Sequence, residues 1–255
     1  MKKQQTGATL IVVLILLLVI TVIGTMAIRG SLTTLNIATN SQAQQLLVQN
    51  SDAAIFNVEN PSLIERNTAY DGLFGLVKTD VNKGKELVFC YKGTATDFYN
   101  FSRASFMQWV SGTAPNNSEL GIDGYCKMDS SNNFFTSGRK AVMTQVSIKV
   151  NTDASSNLDR AFEHMQRGTD AESAKIDKSE KILVTATSIV PSMSTANDTD
   201  INNCFSTHMN QVVIPSSVTP ATGMNKSVSQ CLQDLGVPVN TQIAEYNLTQ
   251  AFDRS

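Results

Sequence analysis

Charge is scarce in this sequence, and neither sign prevails. Of its 255 residues 16% are charged, 20 Lys and Arg against 22 Asp and Glu, where an ordinary domain carries about 25%. Without a basic surplus, direct binding of nucleic acid is not expected. Histidine is scarcer still: His164 and His208 do not stand at metal-ligand spacing, so both are expected at the surface and a zinc site is poorly served. The four cysteines form no C-x-x-C pair, and no glycine-rich loop offers its amides to a phosphate.

Fragments of catalytic patterns stay isolated. Ser137-Gly138-Arg139-Lys140 fits S-x-x-K without the companion motifs that make it a nucleophile. Asp159 and Glu163 read as a solvated helix face. Asp198-Thr199-Asp200-Ile201-Asn202-Asn203 alternates oxygen ligands but lacks the glycine and closing glutamate of a calcium loop, so it reads as a polar turn. No catalytic residue, cofactor or metal is expected, and the chain is not read as an enzyme.

What is abundant is hydrocarbon in one place. From Ala8 to Ile28 lie 21 residues without a charge, just after Lys2 and Lys3. As a helix this run is about 31 Å long, matching a bilayer core of about 30 Å. The lysine pair sets that end in the cytoplasm and everything after Arg29 outside. A cleavable secretory signal has a core of about 7–15 residues closed by an A-x-A-like site. This run is longer, and its small-residue ending, Gly24-Thr25-Met26-Ala27, fits poorly. Cys90, Cys126, Cys204 and Cys231 all fall in the exported part, where an even count predicts two disulfides. Three pairings exist; proximity favours Cys90 with Cys126 and Cys204 with Cys231, and long-range pairing stays open.

The helix is not expected to stop at the membrane. Leu32, Leu35, Ala38, Ala43, Leu46, Leu47, Ala53, Ala54 and Val58 recur at mixed spacings of three and four, and no proline precedes Pro61. One helix over about 8–58 is predicted, apolar all round in 8–29 and amphipathic in 30–60. Residues 61–255 then form a globular domain. Gly72, Gly75 and Gly84 mark its loop-rich start, Glu86–Tyr91 a strand and Arg103–Val110 a short helix. Phe98, Tyr99, Phe101, Phe106 and Trp109 are expected in the core rather than as an exposed docking strip. Lys140–Val150 alternates as a strand, with Val142, Thr144, Val146, Ile148 and Val150 on one face. Lys181–Val190 is a second strand, antiparallel to it across a charged insertion, 152–180. Residues 192–255 are expected as a disulfide-tied, loop-rich tail. Helix followed by strands is an α+β pattern in which one helix face covers a small antiparallel sheet.

The stretch Lys2-Lys3-Gln4-Gln5-Thr6-Gly7-Ala8-Thr9-Leu10-Ile11 resembles the class III leader of type IV pilins: a short basic leader, a glycine, then an apolar helix. The resemblance implies residues 1–7 as the leader, cut after Gly7 by a membrane prepilin peptidase, and N-methylation of Ala8 at the head of a mature chain of 248 residues. The usual first residue is phenylalanine, and Ala8 departs from it. The usual fifth residue is glutamate, which in that family is thought to meet the amino group of a neighbouring subunit. Here that place holds Val12.

Lacking this glutamate, the chain is similar to two tip-associated groups, PilX-type minor pilins and K-type pseudopilins of type II secretion. The run GATLIVVLILLLVITVIGTMAIRGSLTTLNIATNSQAQQ looks most like the PilX type. K-type pseudopilins carry a large helical insertion and calcium ligands, and 152–180 is too small for the first. The resemblance implies a type IVa pilus subunit of the tip or priming complex. Its partners are other minor pilins, the major pilin and a large tip adhesin. It waits in the inner membrane with its C-terminus in the periplasm, then moves to the pilus tip, serving twitching motility, adhesion or DNA uptake. A rival from another class is a bitopic membrane-anchored enzyme or binding protein, which predicts no processing after Gly7 and a pocket of convergent polar groups.

Overall fold

In a computed structural model the protein is described over residues 8–92, 98–110, 112–121, 124–129, 133–134, 141–151 and 180–248. Two compact units follow one another, Met1–Gln45 and Leu46–Ser255. Helix α1, Ala8–Val58, begins in the first and ends in the second. No proline or competing cap interrupts its 51 residues, as the sequence predicts.

In the second unit come α2 (Ile64–Thr68), α3 (Leu73–Lys78), β1 (Glu86–Tyr91), β2 (Ala104–Gln108), β3 (Asn116–Glu119), β4 (Met143–Val150), β5 (Glu180–Ile189), α4 (Asp198–Thr207), α5 (Val228–Asp234) and β6 (Val239–Leu248). The strands form one sheet in the order β3-β2-β1-β4-β5-β6, antiparallel throughout. This is the expected α+β architecture: a long N-terminal helix, an antiparallel sheet and two disulfides. β4 and β5 pair from Met143 opposite Ile189 to Val150 opposite Ile182.

Both faces of the sheet are covered, so β4 is buried at every position rather than at alternate ones. On one face Leu47, Ser51, Ala54 and Val58, spaced four, three and four apart, are almost wholly buried. Ala54 and Val58 join Leu73, Phe74 and Val77 of α3 over Leu87, Phe89, Val146, Ile148 and Val184. A polar ladder runs through this layer. The hydroxyls of Ser51, Ser188 and Thr144 stand 2.8 and 2.7 Å apart, and Asn240 Nδ2 donates to Ser51 Oγ at 3.1 Å. On the other face Met143 and Ile189 pack with Ile201 and Phe205 of α4 and Val228 and Leu232 of α5. The disulfides Cys90–Cys126 and Cys204–Cys231 lie there, the second tying α4 to α5.

Several local expectations are corrected. Arg103–Val110 is not helical: β2 occupies its centre, because Ala104 and Phe106 pack on the α1 side while Met107 packs on the other. The stretch after Pro61 holds α2 and α3. Gly72 and Gly75 are close-approach residues there, since a Cβ would lie 2.1 Å from the Arg66 carbonyl oxygen and 2.0 Å from that of Ala69. Residues 192–248 are tied by the Cys204–Cys231 disulfide, as expected, but are more than loop: they also supply α4, α5 and β6. The Asp198–Asn203 segment is the first half of α4, not a turn. In 30–60 the buried stripe lies towards the C-terminal end, and Leu32, Leu35 and Leu46 stay exposed. Of the five aromatics, Phe106 and Trp109 are buried, Phe98 and Tyr99 pack against the core, and Phe101 is exposed. The insertion at 152–179 lies outside the described residues.

Candidate functional site

The feature the chain leaves unfinished is the apolar start of α1. Between Leu10 and Ile28 stand fifteen large apolar side chains, each 43–69% exposed. Covering one fully is worth about 1.5–3 kcal/mol, so together they press for cover by tens of kcal/mol. The polar groups within the run are already met. Thr21 Oγ1 donates to the Leu18 carbonyl at 2.8 Å and Thr25 Oγ1 to that of Val22 at 2.9 Å. A hydroxyl bonded back to its own helix costs little in a dry environment. The segment has the length and composition to cross a membrane.

Its electrostatics are equally plain. Arg29 and Asp52 are the only charges in α1, and no acidic residue precedes Asp52. Val12 is 56% exposed one turn from the start of α1. Ala8 opens the helix; Gly7 and the rest of the leader lie outside the described residues.

Among the described residues no group of His, Cys, Asp and Glu is placed to hold a metal ion. Ser137–Lys140, Asp159, Glu163 and His164 lie outside them. His208 is buried rather than at the surface, because α4 and the chain after it fold onto the sheet; its Nδ1 is 3.1 Å from Thr207 Oγ1. Burial holds its pKa below the ordinary value, against the raising effect of backbone bonds at Gly223 and Asn203. Glu86, which the sequence did not single out, is also buried. Its carboxylate accepts from Asn210 N at 3.0 Å, Asn210 Nδ2 at 2.8 Å and Gln211 N at 3.3 Å. It pins the loop after α4 to β1 through two backbone amides and one side-chain amide.

The family model described as PilX N-terminal matches residues 6–56. No curated protein and no solved structure matches the chain. The matched residues are the apolar run and the amphipathic continuation that ends on the sheet. Over this N-terminal segment the chain is similar to the PilX type of type IV pilin.

Proposed function

We propose that the protein is a structural subunit of the tip or priming complex of a type IVa pilus. The observation that carries this reading is the carboxylate-free apolar surface of α1 from Leu10 to Ile28. Before assembly the bilayer covers it. Prepilin peptidase then cuts after Gly7, and Ala8 becomes the methylated first residue.

Leaving the bilayer exchanges lipid contacts for side-by-side packing with other apolar helices. A subunit entering beneath an existing one gains register from a carboxylate at its fifth place. Val12 supplies none, and a subunit that goes first needs none. The chain therefore seats at the tip with other minor pilins and a large adhesin, and major pilin adds below. Fibre initiation in support of twitching, adhesion or DNA uptake is the output.

Mass spectrometry of the N-terminus in the native host tests the first step. Methylated Ala8 supports the reading. A chain that keeps Met1 in the presence of active prepilin peptidase contradicts it and favours a membrane anchor that never enters a filament.

A further inference from the structure

The two edges of the sheet are finished differently. β3 has four residues, and Asn117 Nδ2 ties it to the Ser206 carbonyl at 3.1 Å. β6 has ten, all paired with β5 in continuous register. Among the described residues no strand lies on its outer side. Natural edges are guarded by proline, lysine, a bulge or shortness. Val239–Leu248 has none of these, and its one charge, Glu245, is met by Lys181 at 2.7 Å.

The register tells which backbone groups are open. Val190 N–H donates to the Pro238 carbonyl at 3.2 Å, and Ile189 opposes Val239. In an antiparallel ladder bonded and non-bonded pairs alternate, so the even-numbered residues of β6 bond inward. Val239, Thr241, Ile243, Glu245 and Asn247 aim N–H and C=O outward. Even-numbered side chains turn to α1, as Asn240 does to Ser51 and Tyr246 to Glu59. Odd-numbered ones lie on the opposite face, where Ile243 is 66% exposed.

We propose that this edge is a self-association surface, on which β6 pairs antiparallel with β6 of a second copy across a two-fold axis at Ile243. The charge pattern suits a second copy, and pairing the strand about its midpoint makes the most hydrogen bonds. With Ile243 opposite its own copy, Glu245 faces Thr241 and Asn247 faces Val239, so no like charges meet and each Glu245 keeps its Lys181. The axis lies close to the strand's midpoint, and about ten interstrand hydrogen bonds form. Moving the axis to Glu245 would set two carboxylates opposite each other, which is unfavourable. The two six-stranded sheets run on as one, and the isologous contact closes without leaving an edge to grow. The inference uses residues 180–248 alone and stands whether or not the chain enters a filament.

Single-cysteine variants of the full-length chain in nanodiscs test it under mild oxidation. Ile243→Cys is expected to give a disulfide-linked dimer at least ten-fold more than Gln242→Cys or Asn247→Cys. Ile243→Lys, which sets two ammonium groups face to face, is expected to weaken dimerisation at least ten-fold with the melting temperature unchanged. Equal crosslinking at all three positions would mean association through α1 or by chance, and would overturn the proposal. Hydrogen exchange supplies a readout that does not depend on a variant. Outward amides of Thr241, Ile243 and Glu245 that are fast in the monomer and slow in the dimer support it. Amides already slow in the monomer would mean that the chain covers its own edge. Amides slowed only by another polypeptide would mean a different strand as occupant. Either result overturns the proposal.

Discussion

Val12→Glu places a carboxylate in a helix that has none before Asp52. Position 12 is four residues beyond Ala8, about 6 Å along the axis, and its side chain is 56% exposed. On insertion scales a carboxylate costs about 2.5–3.5 kcal/mol at the bilayer centre and less towards an interface. One turn from the start of the helix, about 1–2 kcal/mol is the expected penalty. That is too small to empty the membrane of a protein held there by fifteen large apolar side chains. On the proposed assembly, the same carboxylate in a bundle of helices would gain a partner, the amino group of a neighbouring subunit. Separating such a buried pair costs about 3–5 kcal/mol, and about 1.4 kcal/mol is a factor of ten. The balance therefore moves from first place to an internal one by about a hundred-fold or more. The assay is fibre number by electron microscopy and position by immunogold, with membrane levels followed by immunoblot. Fewer fibres, or label moved from the tip into the shaft, is expected at levels within about two-fold of the parent. Unchanged fibre number and unchanged tip labelling would refute the link between Val12 and first place. Val12→Leu, which keeps the surface apolar, is expected to change neither.

Three further outcomes test the packing behind that surface. Ser51→Ala removes the hydroxyl that Asn240 and Ser188 share and is expected to cost about 1–3 kcal/mol in urea unfolding; with Ser188→Ala the two losses should be non-additive, and simple additivity would mean that the ladder is not a unit. Replacing Cys204 and Cys231 by serine frees a loop with a sequence separation of 27 and should cost about 3.5 kcal/mol. An unchanged denaturation midpoint would show that α4 and α5 hold without the bond. His208 is held below its ordinary pKa by burial. Below about pH 6.5 the unfolded chain binds the extra proton, so the stability His208 contributes is complete above that pH and is lost as pH falls. Melting temperatures from pH 8 to 5 should show this decline, and His208→Asn should flatten it.

The elements legible in the sequence were those whose pattern is long or repeated. α1 has an unbroken apolar run and then spacings of three and four, and β4 alternates over eight residues. The nearer cysteine pairings follow from distance along the chain, and the structure contains them. β2 is a short apolar run in which helix and strand are indistinguishable by period; its neighbours in the sheet decide. β6 mixes apolar and polar residues on both faces, with Ala244 and Tyr246 on one and Val239 and Ile243 on the other, so no period of two appears. α5 did carry a local signal, the capping box of Ser227 and Gln230. In α4, Ile201, Cys204 and Phe205 stand at helical spacing, hidden in a polar stretch. The apolar surface was legible because composition alone defines it. The burial of Glu86 and His208 was not, because each is covered by residues distant in sequence.

On the proposed function, the start of α1 gives up lipid for the helices of other subunits. Photo-crosslinking from Leu16 in the native host, read in fibres sheared from the cells, tests it most directly. Adducts with the N-terminal helices of other pilin subunits are expected in those fibres. Adducts with lipid alone, in membranes that retain the whole pool while the fibres contain none of this chain, would contradict it.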